Sequence, residues 1–173
     1  MNDEIGVAFI AAAREVLSEG MRKIEHCVRQ LNQDQVWWRG RNDMNSIANL
    51  MLHLAGNLRQ WLVVGVGGGK DVRNRPGEFS DRSNRPKDEV LGKLATTVAE
   101  ADKVLAGLKA GELVSRRRIQ GYDTNVIAAI MDTTAHFRGH VQEIIHITRE
   151  QVGEKYRFDF VPVGKEQESA GSA

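Results

Sequence analysis

Apolar residues recur at helical spacing in four stretches of the chain. In the first, Ile10, Leu17, Ile24 and Leu31 are seven residues apart, with Ala13, Met21 and Val28 between them. This is one stripe on a helix over roughly 4–31. The second stripe, Ile47, Leu50, Leu54, Leu58 and Trp61, begins after Asn45 or Ser46, either a good N-cap, and runs to about Val64. The third opens after Pro86, a residue tolerated at a helix start, and uses Val90, Leu94, Val98, Leu105 and Leu108. The fourth covers about Asp123 to Gln151, with Ile127, Ile130, Thr134, Val141, Ile145 and Thr148 on one side and Gly153 as its stop. Four amphipathic helices bury their stripes most economically against one another. The expected fold is therefore all-α, a four-helix bundle occupying residues 1–164 as one domain.

Two regions escape this pattern. Tyr156, Phe158 and Phe160 alternate with Lys155, Arg157 and Asp159, which predicts a short strand or an extended C-terminal arm needing cover from the bundle or a second subunit. Beyond it, residues 165–173 read as a disordered tail. The connection from Gly65 to Arg85 is long for a compact domain, and loops of such length are often functional or mobile. Its start, Gly65-Val66-Gly67-Gly68-Gly69-Lys70, fails the phosphate-loop pattern: Val66 stands where the first glycine should be, Asp71 replaces the Ser or Thr, and a helix precedes it instead of a strand. It reads as a helix terminus running into a flexible loop.

Composition narrows the function classes. With 24 Lys and Arg against 23 Asp and Glu, the formal net charge is +1, which argues against a nucleic-acid binder that relies on clustered basic charge. The one cluster, Arg116-Arg117-Arg118, reads as a solvated loop between the third and fourth helices, with an anion clamp at a pocket mouth as the rival. The single cysteine, Cys27, sits in a helical pattern and reads as a packed thiol. The apolar run from Trp61 to Gly69 is far shorter than the ~18 residues a membrane span needs. The acidic start, Met1-Asn2-Asp3-Glu4, lacks the order of a signal peptide, so a cytoplasmic location is expected.

The five histidines are not equivalent. His136 and His140 lie four apart at one edge of the apolar arc of the fourth helix, with Glu143 beside them, while His146 falls on the polar arc. Two imidazoles at this spacing can serve one metal, but structural pairs arise as readily. His53 lies just outside the stripe of the second helix, on a flank shared with Asn49, Asn57 and Gln60. Such a polar strip is an odd use of four polar groups unless they meet something, as they would in lining a pocket; the alternative is a solvated flank. His26 points away from its own stripe and reads as surface.

At these residues a resemblance emerges. The segment His53-Leu54-Ala55-Gly56-Asn57-Leu58-Arg59-Gln60-Trp61, the later His136-Phe137-Arg138-Gly139-His140, the approach Trp37-Trp38 and the helix start Ser46-Ile47 resemble the DinB-like superfamily, in a branch of uncharacterised function. The resemblance implies a four-helix bundle with a metal held by three histidines, here His53, His136 and His140. It also implies relatives that act as metal-dependent thiol transferases or thiol-dependent isomerases, with dimers common. Where many relatives carry Gln three residues after the final ligand, this chain has Glu143, and Gly139 precedes the ligand. A carboxylate there is a fourth ligand, a general base or an orienter of His140.

Three neutral imidazoles leave a divalent cation with an open position, where a bound water is acidified towards ~7 or a thiolate is stabilised. Imidazole suits Zn, Ni or Fe, with Zn the favoured expectation. Asn57 and Glu143 are the expected supports of the ligand shell. The leading expectation is a metal-dependent enzyme, a thiol S-transferase or hydrolase, acting on a small-molecule substrate. It uses a low-molecular-weight thiol if relatives are a guide, needs no nucleic acid or membrane, and forms a homodimer. The rival is a non-enzymatic metal-binding or interaction module with a structural or vestigial site.

Overall fold

The computed structural model describes residues 2–159 and is mostly helical. Among the described residues there are six α-helices: α1 (Asn2–Arg29), α2 (Gln33–Trp37), α3 (Ile47–Leu58), α4 (Arg75–Ser80), α5 (Lys87–Gly107) and α6 (Val126–Val152). Phe160 and the 165–173 tail lie outside this range.

The four long stripes are where periodicity put them. Ile10, Ala13, Leu17, Met21, Ile24, Val28 and Leu31 are all buried. In α6 the stripe is carried by Val126, Ile130, Phe137, Val141 and Ile144, whereas Ile127, expected inside, is partly exposed. Helix α1 packs on α5 and α6, and α3 packs on the same two helices from the other side. The closest approach of α1 and α6 is at Gly20, where a Cβ would stand 2.6 Å from Phe137 Cε1. Helix α3 is buried almost all round by its neighbours, and Ser46 and Asn49 close its first turn as a reciprocal capping box. The box satisfies the Ser46 and Asn49 amides although both residues are fully buried.

Three features differ from the periodic reading. Helix α3 is α-helical only to Leu58 and continues as a π-helical turn from Arg59 to Val66, a form common at functional sites. The chain leaves it through Gly68 (φ 91°) and Gly69 (φ 131°), backbone conformations that favour glycine. The expected flexible loop then contains a short helix, α4, capped by Asn74, whose side chain accepts from the Gly77 amide. Finally, the arginine cluster is a strand, not a loop. β1 (Arg116–Ile119) pairs antiparallel with β2 (Tyr122–Asn125) through a two-residue turn, Gln120-Gly121, with both φ positive. The all-α expectation is thus modified by one hairpin. Four-residue strands are too short to show a period of two.

After Gly153 (φ 58°) ends α6, the C-terminal segment runs as an extended arm over α1 and forms no strand among the described residues. Its cover comes from this chain. The His26 Nε2 lies 2.5 Å from the Arg157 carbonyl, Gln30 bonds the same backbone twice, and Arg22 pairs with Asp159. The Arg149 guanidinium sits over the rings of both Tyr156 and Phe158. His26 is therefore half-buried beneath the arm. No helix among the described residues is long and apolar enough to cross a membrane.

Candidate metal centre

Helices α3 and α6 bring three histidines to one point. His53 Nε2 lies 2.9 Å from His136 Nε2, and the His140 ring lies 4.5 Å from that of His136 and 5.2 Å from that of His53. One candidate ligand atom from each falls within 4.8 Å of the others, so the three could hold a metal ion. Their i, i+4 and cross-helix placement follows from α3 packing on α6 at their polar edges. His146 is exposed on the far side of α6.

The second nitrogens of two of these rings are bound to carboxylates. His140 Nδ1 lies 2.7 Å from Glu143 Oε2, and His53 Nδ1 lies 3.0 Å from Glu78 Oε2 and 3.1 Å from Arg73 Nη2. A carboxylate only accepts, and Arg73 Nη2 makes its shorter bond, 2.8 Å, to Glu78 Oε2, so we assign the proton to Nδ1 in both rings and the lone pair to Nε2, the arrangement found around metal-bound imidazoles. With His53 in this tautomer, the 2.9 Å contact requires His136 to donate from its own Nε2. A cation would displace that proton.

The sequence matches one protein family, described as a protein of unknown function (DUF1572), over residues 4–165. The chain belongs to that family. A comparison with curated proteins returned no match. For this DUF1572 chain, chemistry must therefore be read from the site itself.

Glu78 was invisible to periodicity, since it lies in the 65–85 connection. Its carboxylate takes two bonds from Arg73, Nε to Oε1 at 2.7 Å and Nη2 to Oε2 at 2.8 Å, and both side chains are buried. Burial opposes the charged form of Glu78, but the Arg73 and His53 bonds outweigh it and hold its pKa below the ordinary value. The flank of α3 that looked oddly polar explains how this pair is seated. Asn49 donates to the Glu78 and Asp81 carbonyls, and Gln60 bridges Asp71 and Arg73. Arg39 adds bonds to Asn49 and the Asp81 carbonyl. The polar strip meets a chain segment, which in turn orients His53. The one signal available beforehand was that strip itself.

Gly56 is what lets the segment come so close. A Cβ there would collide with the Glu78 carboxylate, standing 2.7 Å from its Cδ and 2.9 Å from Arg73 Nε. Gly56→Ala is expected to destabilise the fold by about 1–3 kcal/mol through overpacking, read from the urea midpoint. A wild-type midpoint would show that the pair can shift without cost.

Electrostatics around His136 are those of a neutral ligand. Burial, then the neighbouring His140, His53, Arg73 and Arg75, push its pKa from 6.5 down to about 4. In an unfolded chain the same ring takes a proton near ~6.5. Between these values the unfolded state binds a proton that the folded state does not, so this stability is complete above the unfolded value and is lost as pH falls towards about 4. Metal-free protein is accordingly expected to unfold at lower urea at pH 5 than at pH 7.5. Equal midpoints would contradict a neutral His136.

The other expected residues divide clearly. Glu143 lies on His140 Nδ1, whereas the Asn57 side chain makes no hydrogen bond among the described residues and instead lines a cavity of about 550 Å³ beside His53 and His136. The triple arginine does not line it. Arg118 faces Asp123 and Arg117 its neighbour's carbonyl, while Arg75 of α4 reaches the cavity in their place. Cys27 is fully buried, and burial pushes its thiol pKa up despite contacts to Thr148 and Tyr156, so it is a packed thiol and a poor nucleophile.

Proposed function

We propose that this chain is a DinB-like four-helix bundle in which His53, His136 and His140 hold one divalent metal ion, zinc by preference, for chemistry on a small molecule. The observation carrying this reading is the paired carboxylate support: Glu78 on His53 and Glu143 on His140 aim two imidazoles at the third. Structural histidine pairs need no such orientation from two separate segments. The donor set fits: three neutral nitrogens at one point leave a position open.

When bound, the ion lowers the pKa of a water or stabilises a thiolate, supplying the nucleophile for transfer or hydrolysis. The protein's part is orientation. Glu78, held by Arg73, keeps the His53 Nδ1 proton in place, and Glu143 does the same for His140. In this reading Glu143 is an orienter, because its Oε2 meets the His140 Nδ1 at 2.7 Å, on the side of the ring away from the ligating nitrogen. The cavity beside His53 and His136 gives a substrate access, which favours an enzyme over a closed structural site. A cytoplasmic homodimer without nucleic-acid or membrane partners completes the proposal.

Protein expressed in zinc-supplemented medium and dialysed is expected to carry about one ion per chain by elemental analysis. Less than about a tenth of an ion, with added zinc failing to bind in a competition titration, would refute the centre.

A further inference from the structure

The walls of the cavity beside the histidines are of two kinds. On one side Arg73 is consumed, bonded to Glu78 and Gln60. The remaining polar side chains, Asn57, Trp61, Arg75, Gln120, Tyr122 and Asp132, have no hydrogen bond or ion pair among the described residues. Arg75, Gln120, Tyr122 and Asp132 are exposed at the cavity wall, and Asn57 and Trp61 are half-buried in it, so their polar atoms are open to water or a ligand. What distinguishes them from ordinary surface groups is that they converge on one concavity beside the histidines, as the polar groups of small-molecule sites do.

Arg75 is the most specific of them. Its guanidinium stands 5.0 Å from the centroid of the Phe79 ring, and that ring lies 4.7 Å from the ring of His53. The cation is held by stacking and not by a carboxylate, so its hydrogen-bonding edge remains free. Preorganisation of this kind lowers the ordering cost of binding. Asp132 lines the same cavity, also without an ion pair or hydrogen bond of its side chain among the described residues. A single guanidinium opposed by a carboxylate is a poor match for a phosphate dianion, which Asp132 would repel. It matches a molecule carrying one carboxylate and one ammonium.

We propose that this cavity recognises the α-amino-acid head group of a small molecule, with Arg75 taking the carboxylate and Asp132 the ammonium. The proposal rests on the reading of the neighbouring histidines as a metal centre only for what is then done to that molecule. Thioether probes test it without stripping metal: S-methyl-L-cysteine carries both groups, 2-(methylthio)ethylamine lacks the carboxylate and 3-(methylthio)propionate lacks the ammonium. Calorimetric titration into zinc-treated and metal-free protein is expected to show each omission weakening binding about ten-fold. Arg75→Gln should abolish the advantage of the carboxylate and Asp132→Asn that of the ammonium, with metal content unchanged in both.

Equal affinity for the three probes, no binding by any, or an Arg75→Gln protein that keeps the wild-type order would overturn the proposal, as would inorganic phosphate outcompeting S-methyl-L-cysteine. Metal analysis of the same samples separates the two readings. Metal-free protein that still ranks the probes through Arg75 keeps the clamp and removes the centre. Loaded protein indifferent to the carboxylate keeps the centre and removes the clamp.

Discussion

His136→Ala protein is expected to lose more than about nine-tenths of its bound metal, because two imidazoles cannot replace a three-nitrogen set. His136 is the ligand whose loss is cleanest. Its Nε2 faces His53 Nε2 at 2.9 Å, and its ring packs against that of His140, so removing it opens the set at its middle. The ring is neutral in the fold, with its pKa near 4, so the metal-free protein loses no ion pair with it. Stability of the metal-free variant should fall by no more than about 1–1.5 kcal/mol, the scale of one hydrogen bond. Metal loss would thus occur in a folded protein, as circular dichroism can verify. His146→Ala, on the exposed arc of the same helix, serves as control and should retain full metal. Full metal content in His136→Ala would remove the ligand assignment.

The second large effect belongs to a residue outside the histidine set. Glu78→Gln removes the charge that two Arg73 bonds and one His53 bond depend on, at a place where the Arg73 and Glu78 side chains are only 5% and 10% exposed. An unpaired buried guanidinium costs about 3–5 kcal/mol, moderated here because Gln60 still accepts from Arg73 at 2.8 Å. Metal affinity should fall about 10–100-fold as well, since His53 loses the carboxylate that orients it. The two effects can be separated. Replacing the pair together, Arg73→Met with Glu78→Leu, should recover most of the stability in urea, because well-packed apolar residues replace a buried ion pair at little cost. It should not recover metal affinity. A double variant that restores both would show that Glu78 acts on the fold alone.

These experiments probe two parts of the centre that differ in how far sequence could reveal them. His136 and His140 share a face because a helix repeats nearly every fourth residue, so α6 alone brings them together. The stripe of α3 likewise placed His53 at an edge, and the neighbouring Asn49 and Gln60 signalled that something polar would meet this flank. Nothing local named what met it. Arg73, Arg75 and Glu78 belong to a connection with no apolar period, and α4 is six residues long. Short elements carry too few positions for a pattern, and their placement rests on contacts such as His53–Glu78, 25 residues apart. The π-helical turn after Leu58 and the 116–125 hairpin escaped for the same reason. The arginine triplet, which reads from sequence as a solvated loop with an anion clamp as the rival, is a strand, and it is Gln120 and Tyr122 of the same hairpin that line the cavity.

By itself, then, the sequence determined the long helices, their buried faces, the packed Cys27 and the three histidines. Each of these follows from spacing along one helix or from a shared motif. Only the tertiary structure decided which carboxylates orient the histidines and why Gly56 must lack a side chain. It also decided which arginine faces the cavity. Such choices depend on where a non-periodic segment comes to rest against α3, and that is settled by close packing and by pairing of buried charge between residues distant in the chain.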